Sequence, residues 1–270
     1  NVGRIMERTA IIGAGNLGGA IAQGLLQAAD FAPSALHLTR GNVRALADFA
    51  ERGVQVGSDN KAAAQAAQLI ILAVKPHKLR DVLREIAPFV SESATVVSVA
   101  TGVSLADMQA LLPQVHNLFR AMPNTAIAIQ ESMTCIAASK TASEGAKTQV
   151  RSLFAHLGSA IYIEENLMDA ATVLGACGIA YALRYIRAAT QAGIQIGFPA
   201  AVAQHIATQT VQGAASLLLE LKQHPESEID KVTTPQGCTI VGLNEMEHCG
   251  FSSALIKGVT ASYKKIEEIK

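Results

Sequence analysis

Gly13, Gly15 and Gly18 stand in the run GAGNLG, a G-x-G-x-x-G spacing with Asn16 and Leu17 between the second and third glycines. An apolar strand-like run precedes it and an Ala/Leu helical run follows. In that setting Gly13 permits a tight turn, Gly15 lets backbone approach a pyrophosphate, and Gly18 lets the helix pack closely. The N–H groups at the helix start then face the anion. The other reading is a plain strand-to-helix turn. After the second strand the chain reads Thr39-Arg40-Gly41-Asn42, with Arg44 nearby. A nicotinamide site that prefers the unphosphorylated ribose places Asp or Glu there. A hydroxyl and a guanidinium suit a 2′-phosphate instead, so NADPH is expected, with NADH as a weaker alternative. Otherwise Arg40 is a solvated surface residue.

A second chemical stretch lies late in the chain, TTPQGCTI from Thr233 to Ile240. Pro, Gly and flanking hydroxyls read as a helix start. Such a start is also an anion site, because its N–H groups and macrodipole face a negative group without a buried cation. No Arg or Lys occurs between Lys231 and Lys257, which favours this device for any carboxylate held there.

Composition narrows the alternatives. Half of the residues are apolar, so a chain of 270 can bury a large core in one or two domains. Lys plus Arg equals Asp plus Glu at 22 each, which gives no electrostatic case for nucleic acid or an anionic membrane. Trp is absent and aromatics are 4%, so the core is expected to be aliphatic. Cys135, Cys177, Cys238 and Cys249 form no C-x-x-C pair or zinc spacing, and His224 and His248 have no ligand set, so no metal site is expected. NVGRIMER is too short and too charged for a signal peptide, and apolar runs are broken by charge or Gly before 18 residues. A soluble cytoplasmic protein is expected, with no membrane span.

These residues must be positioned by a larger frame. TAIIGA, ALHLT, VQVG, LIILAV, TVVSVA, VHNLFRAM, MTCIAA and AIYIE read as strands. Several are continuous apolar runs, as in strands covered on both faces. Helical patterns fall over Leu17–Ala29, Asn42–Arg52, Asn60–Ala67, Leu79–Phe89 and Leu105–Leu112. The alternation predicts an α/β class: a Rossmann-type doubly wound, largely parallel sheet over residues 1–164. Over residues 165–270 three helical blocks follow, Asn166–Ala192, Pro199–Gln223 and Ile240–Glu268, with turns near Gly193–Gly197 and His224–Gln236. The first block is apolar or small nearly all round, so it requires cover, and a partner subunit is the expected source. An all-α dimerisation domain follows from this, with a homodimer as the minimum assembly and a higher oligomer left open.

GAGNLG, the Arg40 cluster, LAVKP (Leu72–Pro76), SVATG (Ser98–Gly102), RAMPNT (Arg120–Thr125) and VTTPQGCTI occur in that order. Together they resemble pyrroline-5-carboxylate reductase over nearly the whole chain from about Thr9. The resemblance implies NADPH-dependent reduction of 1-pyrroline-5-carboxylate to L-proline, the last step of proline synthesis. It places Asn60 near the adenosine ribose and Ala73, Val74, Lys75 and Pro76 along the cofactor. Ala100, Thr101, Met122, Pro123 and Asn124 fall near the nicotinamide. The small-molecule substrate's carboxylate is assigned to Thr233–Thr239, with Thr234, Gly237, Cys238 and Thr239 as contacts and Thr239 as the catalytic hydroxyl. Cys177 is implied as a further substrate contact. The chain departs from the family pattern at GACGIAY (Gly175–Tyr181) for SGSGPAY, at MPNTA for MPNTP, at PQGCT for PGGTT or PGGAT, and at Arg187 for Glu.

The chemistry fits a cyclic imine better than a ketone. A hydroxyacid dehydrogenase of this two-domain plan needs a general acid–base, often a Lys at the start of the second domain. No Lys occurs between Lys147 and Lys222. An iminium accepts hydride readily and needs only a proton for nitrogen. The competing readings are a related imine or ketone reductase with an altered pocket, and a non-catalytic NADP-sensing dimer. Cys177 and Cys238 are read as small hydrophobes, with a redox pair as the alternative.

Overall fold

The computed structural model describes residues 8–28 and 31–269. The leader reading of NVGRIMER, except Arg8, falls outside these, as do Ala29 at the expected end of the first helix and Lys270. The chain divides into two compact units, one ending at Ala176 and the other spanning Cys177–Ile269.

In the first unit, strands and helices alternate: β1 (Thr9–Ile12), α1 (Asn16–Gln27), β2 (Leu36–Thr39), α2 (Ala47–Glu51), β3 (Gln55–Gly57), α3 (Asn60–Ala66) and β4 (Leu69–Leu72). Then come α4 (Pro76–Ile86), β5 (Thr95–Ser98), α5 (Leu105–Leu111), β6 (Asn117–Met122), β7 (Ser132–Ala138), α6 (Glu144–Ala155) and β8 (Gly158–Tyr162). The strands form one sheet in the order β3-β2-β1-β4-β5-β6-β7-β8. The order reverses between β1 and β4, the switch point at which a doubly wound sheet opens a crevice at its carboxyl edge.

Period-two alternation splits the core between the two faces. Ala10, Ile12, Ile70, Leu72 and Val96 pack with Ala63 and Ala64 of α3, Leu79 and Leu83 of α4, and Met108 of α5. Ile11, Leu38, Leu69, Ile71 and Val97 face the other way, onto Ile21 and Leu25 of α1 and Val150 and Phe154 of α6. With both faces covered, β1 and β4 are buried at every residue, which explains their unbroken apolar wording. The core is aliphatic apart from such rings as Phe119 and Phe154.

Three local features add to the expected frame. β7 runs antiparallel to β6, because the Pro123–Glu131 connection is too short for a crossover. Helix α6 occupies a stretch to which the sequence reading gives no element; its buried Ala146, Val150, Leu153 and Phe154 have helical spacing. Pro76 opens a helix, as its fixed φ and missing N–H allow at the first helical position.

From Glu165 to Gln195 the backbone is helical throughout: a 3₁₀ turn, α7 (Met168–Ala171), a π-helical segment at Thr172–Cys177 and α8 (Gly178–Gln195). The second unit continues with α9 (Ala200–Leu221), α10 (Pro225–Val232), α11 (Cys238–His248) and α12 (Phe251–Ile269). The block expected over Ile240–Glu268 is thus two helices, parted at Gly250 with φ +78°, and the expected turn at His224–Gln236 contains α10. Helices α8 and α9 pack as a hairpin; a Cβ on Gly193 would lie 2.9 Å from the Ala203 Cβ. In α8 only Thr190 is buried, and Leu183, Tyr185 and Ile194 are exposed. By length and composition Glu165–Gln195 would be apolar enough to cross a membrane, with a mean hydropathy of 1.3 over its best window. The expectation that no segment reaches that length therefore holds only for uninterrupted apolar runs.

Candidate functional site

The expected cofactor residues of the first unit gather on one rim, the carboxyl ends of β1, β2, β4, β5 and β6. Gly13 leaves β1 with φ +93°, and its N–H and that of Ala14 donate to the Thr39 carbonyl at 3.0 and 2.8 Å. A Cβ on Gly13 would lie 2.6 Å from the Val74 Cγ1 and 2.8 Å from the Val74 nitrogen, so this turn rests directly on the segment leaving β4. Gly18 is equally constrained, since its Cβ would fall 2.7 Å from the Gly13 carbonyl oxygen and 3.1 Å from the Ala73 Cβ. Beside Gly15 the space is open, with nothing nearer than 3.9 Å to an added Cβ. Gly15 caps α1 without a side chain, no acidic residue lies in the first turn, and Asn16 is exposed beside half-buried Leu17. Loop and helix end therefore form a cradle with free N–H groups, which fits a pyrophosphate.

At the end of β2, buried Thr39 donates its hydroxyl to the Asn60 Oδ1 at 2.7 Å, and the Asn60 amide donates to Glu85 at 3.1 Å. Arg40 is exposed; its Nη1 donates to the Ala14 carbonyl at 3.4 Å, which sets the guanidinium beside the glycine loop. Asp59 caps α3 by accepting from the N–H groups of Lys61 and Ala62 and so fixes Asn60 at the helix start. Burial pushes the His37 imidazole below its usual range, against an opposing pull from the Asp59 carboxylate.

Farther along the rim, Lys75 is exposed in the extended geometry that Pro76 imposes. Ala100, 7% exposed, donates its N–H to the buried Ser98 hydroxyl at 3.3 Å, and Thr101 follows half-buried. Met122 and Pro123 are buried at the end of β6. Asn124 is buried as well, but its side chain is engaged by protein: Oδ1 accepts from Ala126 N–H at 3.0 Å and Nδ2 donates to the Gly175 carbonyl at 3.2 Å. The expectation of Asn124 as a direct cofactor contact thus meets an amide that already holds two partners.

The sequence reading overlooks an ion pair behind this rim. Arg120 on β6, 8% exposed, donates to the Glu165 carboxylate at 3.0 Å, and the same oxygen accepts from Leu105 N–H at 2.7 Å. The available signal was a lone charge inside an otherwise apolar strand. A cavity of about 930 Å³, lined in part by Leu105, Gln109, Lys140, Lys147, Tyr162 and Glu164, contains none of the expected site residues.

In the second unit the Thr233–Thr239 loop is a tight turn entering α11. The Gly237 N–H donates to the Thr234 carbonyl at 2.9 Å, and Gln236 takes φ +61°. A Cβ on Gly237 would lie 2.5 Å from the Thr234 Oγ1, so glycine is required where the turn closes. Gly237 caps α11 without a side chain and no acidic residue lies in the first turn. Thr234, Cys238 and Thr239 are exposed around this free helix end. Cys177 is half-buried where the π-helical segment meets α8.

Comparison with known proteins follows the same division. Residues 8–102 match the sequence model described as NADP oxidoreductase coenzyme F420-dependent, and residues 165–269 match that for pyrroline-5-carboxylate reductase dimerisation. Pyrroline-5-carboxylate reductase 1 of Dictyostelium discoideum is 44% identical over 95% of this chain, which spans only 48% of that protein's length. Pyrroline-5-carboxylate reductase 2 of the same organism is 41% identical, covering 96% of this chain and 92% of its own. Among solved structures, a pyrroline-5-carboxylate reductase from Coxiella burnetii aligns with a TM-score of 0.90 and 28% identity over 98% of both chains. With the switch-point cradle, the free-ended α11 and full-length likeness in agreement, the chain belongs to the pyrroline-5-carboxylate reductase family.

Proposed function

We infer that the protein reduces 1-pyrroline-5-carboxylate to L-proline with NADPH, the last step of proline biosynthesis. The observation that carries this reading is the single rim on which Gly13–Gly18, Thr39, Arg40, Asn60 and the segments after β4, β5 and β6 converge. Gly13, Gly15, Asn16, Leu17 and Gly18 cradle the pyrophosphate, and Arg40 with Thr39 recognises the 2′-phosphate. Asn60 lies toward the adenosine ribose. Ala73, Val74, Lys75 and Pro76 run along the cofactor, and Ala100, Thr101, Met122 and Pro123 border the nicotinamide. When bound, NADPH supplies hydride to the imine carbon.

The remaining work falls to the chain. The N–H groups at the start of α11, with Thr234, Gly237 and Cys238, hold the substrate carboxylate, and Cys177 contributes a further contact. Holding that carboxylate orients the ring, which supplies much of the rate in a reaction with little demand for acid–base groups. Thr239 places a hydroxyl at the ring nitrogen, where a proton must arrive.

Residues 1–164 serve as the cofactor domain and residues 165–270 as the helical dimerisation domain of a cytoplasmic homodimer. Supporting this, α8 to α12 leave Leu183, Ile206, Leu217, Leu255 and Ile256 uncovered in the single chain. A second copy covers the apolar stretch, not a membrane; exposed Arg184 and Arg187 interrupt it. The test is the fall in NADPH absorbance with the imine, compared with NADH. Turnover faster with NADPH is expected. Turnover only with another imine, or tight NADPH binding with no turnover, overturns the assignment.

A further inference from the structure

We propose that Asn124 is a positioning residue: its amide holds the π-helical turn at Thr172–Cys177 and thereby sets the rotational phase of the GACGIAY segment. The inference rests on the reductase reading above for its kinetic consequence, but not for its structural one.

The partners fix which end of the amide faces which group. Ala126 N–H can only donate, so the atom it meets is Oδ1; the Gly175 carbonyl can only accept, so it meets Nδ2. The Asn124 backbone is anchored too, its N–H donating to the buried Ser132 hydroxyl at 3.1 Å. The donor is thus rigidly aimed at one carbonyl of the helix. A second tie lies ten residues earlier, where Glu165 meets Arg120. Four residues of extended chain from Arg120 to Asn124 span about 13 Å, and ten helical residues from Glu165 to Gly175 about 15 Å. The helical stretch is therefore tied at two points of similar spacing to the Arg120–Asn124 segment, with Met168 and Val173 buried between the ties.

A π turn closes i to i+5 hydrogen bonds and inserts one residue into the α-helical ladder. Removing the insertion shifts the phase of the residues that follow in the same helix by about 100°. Cys177 and Tyr181 follow the turn directly, and Tyr181 shares a 2.7 Å hydrogen bond with Ser262 in the second unit. Gly175 makes the turn easy to deform, since an added Cβ there meets nothing within 4 Å and glycine is a weak helix former. The external donor from Asn124 is what selects the π register. Met122 and Pro123, the motif residues before it, need no such role and remain free to border the cofactor.

Asn124→Asp is the test, being isosteric and retaining the acceptor for Ala126 while replacing the donor toward Gly175. The expected result near neutral pH is a loss of roughly tenfold or more in kcat/KM for the imine, with NADPH affinity near wild type. Activity recovers as the pH falls and the new carboxyl regains a proton to donate. Faster hydrogen exchange over residues 172–181 accompanies the loss. Wild-type kcat/KM, or a loss carried by weaker NADPH binding, overturns the proposal. If Asn124→Asp does not fold, Asn124→Ala is measured by hydrogen exchange, and unchanged protection over 172–181 overturns it equally. Absence of imine turnover in the wild-type protein would refute the reductase reading alone, because the exchange measurement still decides the role of Asn124.

Discussion

Gly13→Ala separates a glycine that shapes the cofactor cradle from one that merely sits near it. Two costs add at this position. An L side chain at φ +93° costs about 1–2 kcal/mol. The new Cβ would also lie 2.6 Å from the Val74 Cγ1, 2.8 Å from the Val74 nitrogen and 2.9 Å from the Ala73 carbonyl carbon. The Val74 side chain can rotate away, but the two backbone atoms cannot, so the segment leaving β4 must retreat. Overpacking of this kind costs about 1–3 kcal/mol. The sum is about 2–5 kcal/mol, on the order of 4–20 °C in Tm for a chain of this size. Because the retreat widens the mouth between β1 and β4, NADPH affinity falls along with stability. Gly19→Ala is the control: an added Cβ there meets nothing within 4 Å, and alanine stabilises a helix interior by about 0.5–1 kcal/mol. Thermal unfolding at matched protein concentration and titration of NADPH fluorescence measure both effects. A Gly13→Ala protein with wild-type Tm and affinity would refute the reasoning, as would a Gly19→Ala protein damaged to the same extent.

Arg40→Asp removes a charge-assisted contact worth about 1.5–3 kcal/mol, so the NADPH Kd rises roughly tenfold to a hundredfold while that of NADH changes little; equal losses would sink the 2′-phosphate assignment. Thr239→Ala lowers kcat strongly with NADPH affinity near wild type, and an unchanged rate in the absorbance assay removes Thr239 from the mechanism. Gln236→Gly relieves a left-handed residue and raises stability by about 1 kcal/mol, read as a Tm increase; a decrease would show that the Gln236 side chain contributes more than its backbone costs.

The frame was legible because buried parallel strands leave unbroken apolar runs, and all eight are where TAIIGA through AIYIE place them. The glycine cradle was legible because its spacing is dictated by backbone geometry. Helix α10 was not, since PESEIDKV has few apolar residues and reads as a turn. The π-helical segment was hidden because TVLGAC has ordinary helical wording, and the register depends on Asn124, 51 residues from Gly175. Arg120 and Glu165 are likewise 45 residues apart. The φ of Gln236 explains one departure after the fact. The family's glycine at this place suits a positive φ, and this chain keeps the turn with glutamine there.

Helix starts in this chain differ in how they are capped, and the difference bears on how a net-neutral protein holds anions. Helices α3, α5 and α6 satisfy their own first-turn N–H groups with Asp59, Ser104 and Ser143, and α10 does so with His224. A helix end capped in this way has little left to offer a ligand. Helices α1 and α11 start instead on Gly15 and Gly237, with no side-chain cap and no acidic residue in the first turn. Helices α4 and α9 also lack a side-chain cap and a first-turn acid, but they start on Lys75 and Pro199; the ends capped by Gly15 and Gly237 are those assigned to the pyrophosphate and the substrate carboxylate. Each exposes N–H groups and the positive end of a helix dipole. In the proposed site only the 2′-phosphate, at the carboxyl end of β2, falls to a guanidinium. There Arg40 remains solvated, so its charge requires no buried partner, whereas a cation placed at either helix end would have to be desolvated with its ligand.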